Sequence, residues 1–128
     1  METKQEWEAY LAKFVEAYNN LPDIESMLAP VAPVIFQYHI KDRPEMNYWQ
    51  YIERDGMKWG MGEYFGDNVS KLIHETNFDT IKKVNSGEKN PIQETIAGNY
   101  NVDGDPTKLL ACAPLLPLNA KAHKKAMK

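Results

Sequence analysis

The residues of this chain best suited to acid–base, nucleophilic or metal chemistry are His39, His74, His123, Cys112, Ser70, Ser86 and the pair Asp103 and Asp105. The three histidines have no partner at helical i, i+4 spacing, so a metal site would have to assemble from distant positions. His74 alternates with apolar neighbours and reads as a half-buried histidine whose hydrogen bonds are satisfied. Ser70 and Ser86 lack the glycine pattern of a nucleophile elbow. Asp103 and Asp105 flank a turn glycine, where the natural task of a carboxylate is to cap a helix. Gly60-Met61-Gly62 is no dinucleotide fingerprint, because it continues a strand and has no third glycine at the required spacing. A single cysteine excludes an internal disulfide framework and a thiolate-rich zinc site. On its apolar stretch Cys112 reads as an inert small hydrophobe. No cofactor, metal or enzymatic reaction is therefore expected. A small hydrolase or isomerase built around His39 or His74 is the weakest reading.

Apolar material is what the chain has in quantity: three tryptophans, seven tyrosines, four phenylalanines and six methionines among 128 residues. Such side chains either fill a core or line a cavity for an apolar ligand, and composition alone favours the core. With 43% hydrophobic and 26% charged residues, the composition is that of one ordinary globular domain, here residues 1–128. No apolar run has the length of a membrane span, and Glu2, Lys4, Glu6 and Glu8 do not make a signal peptide, so the expected location is cytoplasmic. The net charge of -3 disfavours nucleic acid, whose binding footprint is basic. Acids dominate residues 1–33, whereas Lys108, Lys121, Lys124, Lys125 and Lys128 face no acid in the last stretch. That tail reads as a frayed, solvated terminus, the sharper alternative being weak docking to an anionic membrane surface through its lysines.

The elements that must carry these residues follow from periodicity. Trp7, Tyr10, Leu11, Phe14 and Tyr18 recur at spacings of three and four behind a Thr3–Glu6 capping box, which predicts an amphipathic helix over 4–18. A shorter helix is expected over 23–29, before Pro30 and Pro33. From Val34 the period becomes two, with Phe36, Tyr38 and Ile40 on the same face, which predicts a strand. Strands at 48–54 and 57–64 are expected to join at Asp55-Gly56, a dipeptide suited to a two-residue hairpin. In that register Glu53 faces Lys58, Ile52 faces Trp59, and the Tyr51 and Trp49 rings lie over Gly60 and Gly62. Gly66-Asp67-Asn68 reads as a turn, and a fourth strand over 69–76 ends at the helix cap Asn77. A short helix then stops at Gly87, and a second is opened by Asn90, Pro91 and Gln93 and stops near Gly98. Tyr100 and Val102 mark a fifth strand, followed by a last helix that Pro114 and Pro117 shorten or kink.

This order, with Asp55-Gly56 at the hairpin, Asp67-Asn68-Val69 before the fourth strand, and Phe78, Ile81 and Val84 before Gly87, resembles the sterol carrier protein 2 family of small lipid-binding domains. Pro91, Gly98, Tyr100, Val102, Gly104, Asp105, Leu109 and Leu110 look like that family's closing stretch. The likeness spans residues 34–118. Residues 1–33 form a helical extension. Glu94 and Thr95 stand where the family often has an alanine and an aromatic residue, and the chain ends in Ala-Met-Lys, which is no peroxisomal address. The resemblance is thus to a divergent, bacterial-type member whose ligand need not be a sterol.

The resemblance implies an α+β fold, a five-stranded mixed β-sheet with helices covering one face, and non-catalytic binding or transfer of a lipid, fatty acyl or sterol-like molecule in an apolar tunnel between sheet and helices. Strand parity then selects Phe36, Trp59 and Met61 from the sheet as lining, with Leu110 and Leu116 from the final helix. If the other face is inward, Trp49 and Tyr51 replace the sheet members. Two alternatives stay open: an interaction module with a solid core that forms a homodimer or engages a partner through its N-terminal helix, and an accessory domain presenting apolar substrates to a separate enzyme.

Overall fold

A computed structural model describes residues 2–66 and 68–127; Asp67, part of the expected turn, and Lys128, part of the basic tail, lie outside the described residues. Helix α1 spans Lys4–Asn19. It begins where the capping box places it: the Thr3 hydroxyl accepts from the Glu6 N–H at 3.1 Å and the Thr3 N–H donates to the Glu6 carboxylate at 3.0 Å. Trp7, Leu11, Phe14, Val15 and Tyr18 form its buried stripe. Helix α2 is a single short piece, Ile24–Leu28.

Five strands follow, β1 at Val34–Ile40, β2 at Tyr48–Glu53, β3 at Gly56–Met61, β4 at Lys71–Thr76 and β5 at Tyr100–Asp103. They make one mixed sheet in the order β3-β2-β1-β4-β5, with only the β1–β4 pair parallel. Helices α3 (Phe78–Ser86) and α4 (Pro91–Ile96) connect β4 to β5, and α5 (Pro106–Ala111) and α6 (Leu116–Ala126) follow β5. The inward parity of β1 is the expected one. Phe36 pairs with Gln50 of β2 and Leu72 of β4, and Tyr38 pairs with Tyr48 and His74, so these side chains share the face that the helices cover. Trp49 and Tyr51 lie on the opposite face, where the loop residue Tyr64 packs edge-on against both rings.

The hairpin differs from the expected register by two residues. Glu53 pairs with Gly56, so Arg54 and Asp55 form the loop; Gln50 faces Trp59, and Trp49 faces Gly60. A shift of two preserves side-chain parity, which is why every residue keeps its face. Among these turn residues none has a positive φ, so the chain does without the left-handed conformations of the primed hairpin turns. The glycine under the ring is nevertheless real: a Cβ at Gly60 would stand 2.6 Å from the Trp49 indole. Glu53 and Lys58 form their ion pair at 3.1 Å diagonally. Strand β3 also stops earlier than expected, because Gly62 adopts φ +81° and turns the chain across the outer face. There the buried Gln37 amide donates to Tyr48 O and Gly62 O and accepts from Tyr64 N–H.

The C-terminal stretch is not a frayed tail. Pro114 and Pro117 divide the expected last helix into α5, a 3-10 turn at Ala113–Leu115 and α6, and α6 lies along α1. Leu118 and Ala122 are buried in that contact, the Tyr10 hydroxyl meets His123 Nδ1 at 2.8 Å, and Lys125 donates to Asn20 O. At the other end of α3, Gly87 takes φ +83° and lets α6 approach so closely that a Cβ there would stand 2.5 Å from that of Ala120. Among the described residues no helix is long and apolar enough to cross a membrane.

Candidate ligand-binding cavity

Helices α4 and α5 explain why the covered face of the sheet is not solidly packed. Each has six residues, is started by a capped Pro (Asn90 before Pro91, Asp105 before Pro106) and buries none of its side chains. They stand over β1, β4 and β5 without filling the space beneath. The result is a cavity of about 360 Å³, within the range of roughly 300–1,000 Å³ usual for small-molecule sites. Its floor is formed by Phe36, Tyr38, Gln50, Met57, Leu72, His74, Tyr100 and Val102 from the sheet. Tyr18 of α1 and Val84 of α3 contribute to the wall, and Ile92, Ile96, Leu109, Leu110, Leu115 and Leu116 supply the helical side. Ile96 and Leu110 are 84% and 76% exposed and make the mouth greasy on the outside as well. Among the described residues no aspartate, glutamate, lysine or arginine lines it.

The polar groups of the cavity are few and uncharged. The Tyr38 ring stacks on His74 with centroids 4.6 Å apart, and the Tyr100 hydroxyl meets His74 Nδ1 at 2.7 Å. His74 Nε2 is buried with no hydrogen-bond partner among the described residues, so this histidine is only half satisfied, contrary to the expectation. Burial holds its pKa down at about 3 and pushes the Cys112 thiol up to about 11, Lys108 opposing the latter slightly. Burial likewise raises Tyr38 and Tyr100 far above the ordinary phenol range. All four groups are therefore neutral near pH 7, which suits contact with hydrocarbon. Gln50 is 4% exposed, and the Tyr38 hydroxyl donates to its Oε1 at 3.4 Å.

Of the residues expected to line a ligand tunnel, Phe36, Leu110 and Leu116 line this cavity, Leu110 at its rim. Trp59 and Met61 share the same face of the sheet but do not line it. Of edge strand β3, over which α1 packs, it is Met57 that lines the space instead. Sequence reasoning did not single out Gln50, whose signal was a polar side chain at an inward position between Tyr48 and Ile52. The remaining histidines stand apart from the cavity, His39 hydrogen-bonded to Glu63 on the outer face and His123 against Tyr10. A second, shallower groove between α1 and α6 is lined by Glu2, Glu6, Lys13 and Lys82 beside Tyr10 and His123, and its charged rim distinguishes it from the apolar cavity. Among the described residues no group of three or more histidines, cysteines or carboxylates could hold a metal ion.

No protein-family model and no curated protein matches the chain. Solved structures do. A ubiquinone synthesis protein described as UbiJ-SCP2 superposes with a TM-score of 0.63 at 13% identity, over 84% of this chain and 90% of that one. Apo sterol carrier protein 2 from Yarrowia lipolytica superposes with a TM-score of 0.56 at 14% identity, over 88% of each chain. The chain has the sterol carrier protein 2 fold. The same fold also matches part of the stereoselective inverting sec-alkylsulfatase of a Pseudomonas species, with a TM-score of 0.57 at 11% identity over 77% of this chain and 16% of that much longer one. In sterol carrier protein 2 terms the expected architecture is met: an α+β domain, a five-stranded mixed sheet and helices on one face, preceded by an N-terminal helix.

Proposed function

We propose that this chain binds an apolar small molecule in the cavity between the sheet and α4–α5, and carries it without catalysing a reaction. The observation that carries this reading is the cavity itself: about 360 Å³ of space lined mainly by apolar side chains and, among the described residues, by no charged one, under helices that bury nothing of their own. Removing hydrocarbon from water at roughly 25 cal/mol per Å² would drive binding without any directional chemistry. The neutral state of His74 and Cys112 near pH 7 supports a binding role over acid–base or thiolate chemistry. The fold shared with sterol carrier protein 2 points the same way. The decisive measurement is native mass spectrometry of the gently purified protein, combined with displacement of a fluorescent fatty acyl probe by medium-chain lipids. A protein that carries nothing and takes up no apolar probe would end this reading.

A second reading has an observation of its own. Because part of a sec-alkylsulfatase has this fold, the chain is also suited to presenting an apolar substrate to a separate enzyme. Co-purification with an enzyme whose turnover of apolar substrates rises in its presence would favour this over a free carrier.

A further inference from the structure

Resting on the binding role just proposed, the chemistry of the cavity floor narrows the class of ligand. Gln50 projects from β2 between Phe36 of β1 and Trp59 of β3, and it is almost wholly buried. It lines the cavity, and its Oε1 accepts from the Tyr38 hydroxyl. Its amide nitrogen, with two N–H donors, makes no hydrogen bond to the protein among the described residues, unlike the equally buried Gln37 amide on the outer face, which donates twice. That nitrogen is not among the fully enclosed unpaired polar atoms of the described residues, so it opens onto the cavity, where an acceptor on a ligand can pair with it.

Several neighbouring groups limit what that partner is. Tyr38 already donates to Gln50, Tyr100 is engaged with His74, and the unpaired His74 Nε2 is fully enclosed, so the donor that opens onto the floor is the Gln50 amide. Among the described residues no cation lines the cavity to neutralise an anionic head, and no carboxylate lines it to neutralise an amine. At about 360 Å³ the cavity has room for about a dozen water-sized groups of roughly 30 Å³ each. The route away from the floor runs to exposed Ile96 and Leu110 at the rim.

We infer that the ligand is an uncharged amphiphile that enters head first, its single acceptor oxygen, such as a carbonyl, seated on the Gln50 amide and its hydrocarbon running out towards the helical rim. The test uses the full chain and a fluorescent fatty acyl probe, displaced in turn by methyl nonyl ketone, undecane and undecanoate. The ketone is expected to displace the probe at a concentration about 5- to 10-fold lower than undecane, the worth of one neutral hydrogen bond, with undecanoate weakest. Gln50→Leu is expected to bring ketone and alkane within about twofold of each other while undecane binding is kept or improved. Gln50→Met, closer in shape, serves the same comparison, with circular dichroism confirming the fold of either variant. An unchanged ketone-to-alkane ratio in both variants, equal binding of ketone and alkane to the parent chain, or undecanoate as the tightest ligand overturns the inference while leaving the cavity as a binding site. A probe that binds but is displaced by none of the three overturns the inference alone, whereas a chain that takes up no probe removes the binding role and the inference together.

Discussion

The imidazole of His74 and the phenol of Tyr100 share one hydrogen bond of 2.7 Å on the cavity wall, and it is the only hydrogen bond that this imidazole makes to the described residues. The second ring nitrogen has no polar neighbour to stabilise a positive charge, which is why burial alone drives the His74 pKa from 6.5 to about 3.

That depression links stability to pH. The unfolded chain takes up a proton near pH 6.5 that the folded chain refuses until about pH 3. The contribution of neutral His74 is therefore complete above the unfolded value and is lost as pH falls through this window, by a total on the order of 5 kcal/mol. Urea unfolding at pH 7 and pH 4.5 is expected to show a loss that is markedly smaller in His74→Phe than in the parent. An equal slope in both proteins would assign the acid sensitivity to other groups.

Val102 faces the same space from β5, opposite His74 on β4. Val102→Trp is expected to occupy the cavity and weaken uptake of a fluorescent fatty acyl probe by about tenfold or more, because the added ring fills space instead of displacing packed neighbours. Thermal unfolding checks the other half of the claim: a variant that loses several degrees of Tm along with binding would show that the space is already packed.

Asn19, the last residue of α1, pairs with the backbone of edge-strand residue Met57 through both of its amide atoms, accepting from the N–H at 2.7 Å and donating to the carbonyl at 2.9 Å. It takes the place of a neighbouring strand at that point of the edge. Asn19→Ala is expected to cost about 1–3 kcal/mol in equilibrium unfolding and to speed amide exchange at Met57. Unaltered exchange at Met57 would mean that the edge does not depend on this side chain.

Gly60 admits the Trp49 ring, and Gly60→Ala forces the two together. A loss of roughly 1–3 kcal/mol is expected, with much of it recovered in the double variant carrying Trp49→Leu. Strict additivity of the two changes would separate the glycine from the ring.

Most of the elements were legible because they are written in short-range chemistry. Thr3 and Glu6, Asn77, Asn90 with Pro91, and Asp105 with Pro106 each satisfy helix N–H groups a few residues away, so their partners lie within the same stretch of sequence. That Phe36 and Tyr38 share a face needs only the period of a strand, whereas which face the helices cover does not follow from it. The hairpin was legible to within two residues: its charge pair and its ring over glycine both exist, but where a turn closes depends on the loop as well as on the pairs, and parity cannot register a shift of two. The docking of α6 was not legible, since Tyr10 and His123 are far apart in the chain and only the packed structure brings them into contact.

The cavity shows the same division. By itself the sequence determined which side chains share a face of the sheet, because alternation along a strand is a local property of the backbone, and it left either face free to be the covered one. Whether those side chains interdigitate or leave room was decided only in three dimensions, by two six-residue helices too short to bury anything and held away from β1, β4 and β5. Periodicity records which way a residue points; the distance to whatever lies opposite is set by the rest of the chain.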